Sequence, residues 1–380
     1  PTRHWLEPHY LAVERSPHGA HSSPNSAIRL LGEPVMNYFN GDSRRHGRHR
    51  VVLFATLVLA ALVASCGGDS GQAGDEPILI KFPHVTAPAT PKGRAADRFK
   101  ELVDERLAGR VTVEIYPSGQ LMSDDDSLDA LAFGEVQMIA VSLSKLDRLT
   151  NKFAVFDLPF LFPDLATVER FQSSDDGAIL LNSMVDKGLL GLTYWHNGMK
   201  QFGGPVAMRS PSAAEGLKFR IMESDVLEAQ VLQIGGNPQK MALGEVYQAL
   251  QTGAVDAQEN TWSNLYSSKF YEVQDYLTET NHGYIGYLVA VNPGFWNSLP
   301  EDIRAELETI VAEVADWANA ISEQINEDGR AQIEASGASE IVTLTADELA
   351  VWQSTMRPVW DQFEDSIGTQ LIEAALAARQ

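Results

Sequence analysis

Residues 217–264, LKFRIMESDVLEAQVLQIGGNPQKMALGEVYQALQTGAVDAQENTWSN, decide the fold. KFRI (218–221) alternates as a strand does, with Phe219 and Ile221 on one face and Lys218 and Arg220 on the other. EVYQALQTG puts Val246, Ala249 and Leu250 on one helical stripe, and Gly253 is placed to end that helix in a left-handed cap. AVDAQEN returns to period two and stops at a polar knot of Gln258, Glu259, Asn260 and Trp262. The order is strand, helix, short strand, helix, strand: an α/β unit. In open α/β sheets ligands sit outside the carboxyl ends of the strands. Arg220 and Asn260 fall at or near such ends and are candidate binding residues.

Toward the N-terminus, ILIKF (78–82), VTVEIYP (111–117) and QMIAVSLSK (137–145) read as strands of another α/β unit. The last ends in Ser142, Ser144 and Lys145, polar groups that either line a crevice or begin a loop. After the first strand, Thr90 suits a helix N-cap and Pro91 the first helical position, ahead of the stripe Ala95, Phe99, Leu102 and Val103. Lys92 is misplaced in that first turn, where the macrodipole disfavours a cation. Either a bound anion or plain exposure accounts for it. SDDDSLD (123–129) lacks the Gly and terminal Glu of a calcium loop and reads as an acidic helix start. FDLPFLFPD (156–164) is too apolar for a surface loop, and YIGYLVAVN (284–292) reads as a strand returning to the first unit.

From 300 to 335, Ile303, Leu307, Ile310, Val311, Val314, Trp317, Ile321 and Ile325 recur at steps of three and four. A helix of that length measures about 54 Å, more than one small domain's diameter, so it is predicted to run across two domains. Thr345 and Glu348 form a capping box for a last helix, which Pro358 should bend.

The chain has 380 residues, with 29 Lys and Arg against 51 Asp and Glu, for a net charge of −22. Residues 1–65 hold seven Arg and four acidic residues, which leaves 22 basic and 47 acidic beyond them, a net of −25. Such a surface argues against nucleic acid and against direct docking on anionic lipid. It is compatible with an anionic ligand, because a recessed Arg or Lys sets the local field. Outside residues 1–65 the histidines are His84, His196 and His282, so no metal site and no cofactor are predicted. There is no G-x-S-x-G elbow, no H-E-x-x-H, no phosphate-binding loop and no G-x-G-x-x-G. His282 in TNHG is expected to hold a loop, and the chain is not expected to be an enzyme.

RRHGRHR (44–50) and the apolar run VVLFATLVLAALVAS (51–65) fit an export signal; about fifteen residues are short for a spanning helix. Val63-Ala64-Ser65-Cys66 resembles a lipoprotein processing site, the alternative being a plain signal peptide that contains a Cys. Cys66 is the only Cys, so an intramolecular disulfide is excluded and lipid attachment is the expectation. GGDSGQAGDE (67–76) would be a tether with a reach of about 17 Å.

LKFRIMESDVLEAQ, MALGEVYQALQTG and QENTWSNLYSSKFYEVQDYLTETNHG resemble the solute-binding proteins of tripartite ATP-independent periplasmic (TRAP) transporters, and within them the four-carbon dicarboxylate branch. The resemblance runs through ILIKFPHVTAPATPKG, VFDLPFLF and YWHNGMKQF to RPVWDQFEDSIG, covering residues 77–380. It implies a two-domain, periplasmic-binding-protein-like α/β clam-shell with a long helix spanning both domains. The expected division is 1–65 extension and signal, 66–76 tether, 77–197 plus 286–325 domain I, and 198–285 plus 326–380 domain II. It further implies a monomeric extracytoplasmic receptor for a small carboxylate (succinate, malate or fumarate), partnered by TRAP integral-membrane permease subunits. The alternative is a sensor or adaptor for a signalling kinase, binding another carboxylate such as a sugar acid. In the family the Arg matching Arg220 grips a carboxylate with two parallel hydrogen bonds. Asn260 would donate to a carboxylate or cap the next helix; Trp262 would wall the pocket or pack in the core. Lys92 and Ser142 complete the expected ligand shell, with Tyr247 a weaker candidate. Lys200, in the run after Gly198, is expected on the hinge surface.

Overall fold

The computed structural model describes residues 76–380. The export segment, Cys66 and nearly all of the expected tether lie outside the described residues. Alternating apolar positions bring β1 (Ile78–Pro83) to its partner across the helix α1 (Pro91–Arg106), which buries Ala95, Phe99, Leu102 and Val103. That partner, β2 (Val111–Tyr116), pairs with β1 in parallel, Ile78 opposite Val111. Ser123 caps α2 (Asp124–Phe133), and β3 (Met138–Ser142) follows, buried at every position. Three 3-10 turns and the helices α3 (Leu165–Gln172) and α4 (Asp175–Leu181) lead to β4 (Leu190–Met199). The chain then passes through β5 (Gln201–Gly204), β6 (Lys218–Ile221), α5 (Asp225–Gln233) and β7 (Asn237–Lys240). After these come α6 (Val246–Thr252), β8 (Ala257–Asn260), α7 (Trp262–Ser267), β9 (Tyr276–Glu279) and β10 (Tyr284–Val291). It finishes with α8 (Pro293–Ser298), α9 (Glu301–Ser336), β11 (Glu340–Thr343), α10 (Ala346–Met356), α11 (Pro358–Ile367) and α12 (Thr369–Ala377).

The architecture is a two-domain α/β clam-shell. One lobe is built on the sheet β3-β10-β4, with β10 antiparallel to both neighbours. Gln137 ties the β1–β2 pair to it: its N–H donates to the Lys81 carbonyl at 3.3 Å, and its side-chain oxygen accepts from Lys81 N–H at 3.1 Å. The other lobe is the six-stranded sheet β11-β9-β5-β8-β6-β7. Within it, β6-α5-β7-α6-β8 is the strand–helix–strand–helix–strand unit read from residues 217–264, with β6 parallel to both β7 and β8.

Four segments connect the lobes, the last being the α10–α11 junction at residues 356–358 described below. β4 runs into β5 through Lys200, and β9 into β10 through residues 280–283; Lys200 N–H donates to the Gly283 carbonyl at 2.8 Å. The third is α9. Its first half buries Ile303, Leu307, Ile310 and Val314 in the core around Phe82, Phe99 and Trp195. Farther along, a Cβ on Gly329 would press on the Trp262 carbonyl, so α9 and α7 lie nearly backbone to backbone there. Among the described residues no helix is long and apolar enough to cross a membrane.

Past α9 the packing departs from the expected division. α10 lays Trp352 and Met356 against Phe202 and Phe219 of the six-stranded lobe. α11 and α12 instead place Val359, Trp360, Ile367 and Ile372 in the core holding Phe156, Phe171 and Leu288. Pro358, which cannot supply the backbone donor that would continue α10, redirects the chain at that point.

Candidate functional site

A cavity of about 200 Å³ lies between the lobes. Val85, Thr86, Lys92, Met122, Asp124, Asp125, Ser142, Lys145, Ile285 and Tyr287 line it from one side. Arg220, Met222, Leu243, Asn260 and Asn264 line it from the other. Polar groups converge on a mostly apolar wall, the usual build of a small-molecule site.

Lys92 reaches the cavity because of how α1 begins. Thr90 accepts from Gly93 N–H at 3.2 Å and Pro91 takes the first helical position. Gly93 is required there, since any Cβ would collide with the Ala87 and Pro88 backbone. The start of α1 is thereby pressed down and Lys92 has no exposed surface. Its Nζ donates to the Ala140 carbonyl at 3.0 Å and stands 4.0 Å from the centre of the Tyr287 ring. Burial lowers its pKa, with only partial compensation from Asp124. Among the described residues no carboxylate lies within ion-pair distance of it.

Arg220, on β6, is 3% exposed. Its Nε and Nη2 donate to the neutral Met241 carbonyl at 3.1 and 2.7 Å. Burial pushes it down to about 10, against the attraction of Glu259, Asp124 and Glu245. It too makes no ion pair among the described residues. Nη1 and the second N–H of Nη2 stay available for a planar acceptor.

Two further groups are set for a guest. Ser142, the last residue of β3, is 3% exposed, and its Oγ has no hydrogen-bond partner among the described residues. Asn260, the last residue of β8, accepts through Oδ1 from Thr261 N–H at 3.1 Å and from Asn264 Nδ2 at 2.9 Å. Those contacts fix the amide with its NH₂ free to donate. Thr261, not Asn260, occupies the N-cap of α7.

Trp262 and Tyr247 lie outside the cavity. Thr261 turns the chain so that Trp262 packs with Val246, Leu265, Leu277 and Ile333, its ring beneath the Arg330 guanidinium at 5.7 Å. Tyr247 sits on the flank of α6, where its hydroxyl donates to Glu272 at 3.4 Å. The expectation for Lys200 is also corrected. It is wholly buried, with Nζ 2.8 Å from Glu259 Oε1, while His282 Nε2 stands 2.8 Å from Glu259 Oε2. Thr280 meets His282 Nδ1 at 2.7 Å, and Phe202 stacks on its ring at 3.8 Å. The role expected of His282, holding a loop, matches these contacts. Lining groups that were not singled out include Asp124, Asp125, Tyr287 and Asn264; Lys145, left open between crevice and loop, lines the cavity and pairs with Asp125 at 2.6 Å. Among the described residues no cluster of His, Cys, Asp and Glu is arranged to hold a metal ion.

Two lobes joined by strands and a shared helix, with buried cations facing a cavity between them, define a clam-shell receptor for a small solute. Over residues 82–366 the chain matches the family described as bacterial extracellular solute-binding protein, family 7, and it belongs to that family. It is 48% identical, over 325 residues, to the C4-dicarboxylate-binding periplasmic protein DctP of Shewanella loihica, covering 85% of this chain and 96% of that protein. Among solved structures it resembles a TRAP periplasmic solute binding protein from Shewanella oneidensis with bound succinate. The TM-score is 0.79 and the identity 49%, over 80% of this chain and all of that one. It also resembles a TRAP periplasmic solute binding protein from Pseudomonas aeruginosa PAO1 with bound L-malate. Here the TM-score is 0.74 and the identity 45%, over 75% of this chain and all of that one.

Proposed function

We propose that this protein captures a four-carbon dicarboxylate (succinate, malate or fumarate) as a monomer, releases it unchanged, and delivers it to a TRAP permease in the membrane. One observation carries the reading: Lys92 and Arg220, buried cations from opposite lobes, face one cavity and neither has an anionic partner among the described residues. A buried unpaired charge is costly, so two of them call for a guest with two negative groups. In the proposed complex Arg220 holds one carboxylate through two N–H groups and Lys92 holds the other. Ser142 and Asn260 donate to the same oxygens. The DctP relative and the succinate- and malate-bound structures support this choice of guest.

Calorimetric titration with succinate and butyrate tests it. Arg220→Ala should lose affinity for both acids, whereas Lys92→Ala should chiefly erode the preference for two carboxylates over one. Wild-type protein binding butyrate as tightly as succinate would refute the dicarboxylate assignment.

We further propose that Cys66 carries a lipid that tethers the receptor to the membrane. The support is the signal-like run of residues 51–65 immediately before the sole Cys. Cys66→Ser should move the protein to the soluble extracytoplasmic fraction with ligand binding intact; unaltered membrane association would count against the anchor.

A further inference from the structure

Asp124 opens α2, is partly exposed, and lines the cavity alongside Lys92 and Arg220. Its carboxylate makes no ion pair among the described residues. The charged and titratable groups facing it are Lys92 from α1, Lys145 from the turn after β3, Arg220 from β6, Tyr287 from β10, and Asp125 beside it. Arg220 in turn feels Glu259 and Glu245. Lys145 is matched by Asp125 at 2.6 Å. What remains is two cations and one carboxylate, a surplus of one positive charge, to receive a guest that carries two negative charges.

A dianion seated between Lys92 and Arg220 therefore puts a third negative charge into a cavity of about 200 Å³. An ionised Asp124 can only accept hydrogen bonds and so has nothing to offer a carboxylate; a protonated Asp124 has one O–H to donate. Burial raises Asp124, opposed by Lys92, Lys145 and Arg220 and aided by Asp125. A bound dianion adds to the upward side and draws the two cations to itself.

We propose that Asp124 takes up a proton from solvent as the ligand binds, so that the receptor captures a dicarboxylate together with one proton and Asp124 donates a hydrogen bond to it. The inference rests on the dicarboxylate reading of Lys92 and Arg220. Its sign follows from linkage. Asp124 titrates higher in the complex than in the free protein, so affinity falls as pH rises between those two points, by at most about tenfold per pH unit.

The test is calorimetric titration of succinate into wild type and Asp124→Asn, in two buffers of different protonation enthalpy, from about pH 6 to about pH 8. Proton uptake by succinate itself is common to both proteins. Wild type should take up more protons than the variant, by at most about one, and its affinity should fall with pH more steeply than the variant's. Asp124→Asn, whose amide donates without a proton, should bind more tightly than wild type at the alkaline end. Equal uptake in the two proteins overturns the proposal and moves any linked proton to Lys92. In wild type alone, infrared difference spectra should gain a protonated-carboxyl band when succinate is added; absence of that band also overturns it. Binding without extra uptake removes this inference and leaves the dicarboxylate reading standing, whereas no binding of succinate removes both.

Discussion

Glu259 shows how one buried residue can hold a hinge. Burial alone would raise its carboxyl, but the Lys200 ammonium and the His282 hydrogen bond outweigh that and hold it at about 2. Because its folded pKa lies below the unfolded value of about 4.3, it contributes stability above that pH, lost as pH falls through about 2. Glu259→Gln leaves Lys200 charged and buried beside a neutral amide. Urea denaturation at neutral pH should show a loss of about 3–5 kcal/mol, and the acid-side decline between about pH 4 and about pH 2 should flatten. An acid-side decline unchanged in the variant would show that Glu259 is not its source. Sequence reasoning placed Lys200 on the surface because its partners lie 59 and 83 residues away. A buried ion pair of that kind has no local signature.

At the scale of elements, Asn326 bolts the long helix to both hinge neighbours. Its Oδ1 accepts from Ser263 N–H at 2.9 Å, and its Nδ2 donates to the Asn197 carbonyl at 2.6 Å. Asn326→Ala would strand both backbone groups in the interior, at a cost of about 2–4 kcal/mol. A lowered urea midpoint with unchanged denaturant slope is expected, and a midpoint equal to wild type would deny Asn326 this role. The elements themselves were legible because period two and period 3.6 are local properties. β6-α5-β7-α6-β8, the span of α9, the Thr90 cap and the Thr345–Glu348 capping box all follow from such patterns. The cavity residues were legible only where a local rule was broken or a strand ended, as at Lys92, Ser142, Arg220 and Asn260. Asp124 and Tyr287 break no local rule: one suits a helix start and the other a buried strand. Of the two readings left open for Trp262, the structure has core packing, with Thr261 rather than Asn260 as the cap ahead of it.

For the whole molecule, the depth of the two cations bears on motion. Lys92 has no exposed surface and Arg220 almost none, so the proposed complex calls for the lobes to part when the guest enters. Residues 199–201, residues 280–283, α9 and the α10–α11 junction at residues 356–358 are the segments on which such a swing can turn, with few backbone angles absorbing it. Small-angle scattering should record a smaller radius of gyration with saturating succinate than without ligand. An unchanged radius would argue for a rigid receptor filled by local breathing.

The place of β10 has a consequence for the order in which the chain acquires structure. β10 fills the gap between β3 and β4, yet it follows them after the whole β5-to-β9 region has been laid down. A nascent chain that ends between residues 200 and 283 holds both flanking strands and lacks the one that joins them. Such late, distant pairing is entropically slow, and the leading lobe's sheet stays open until β10 has been made. The leading lobe therefore completes its sheet only after every strand of the other lobe except β11 has been made.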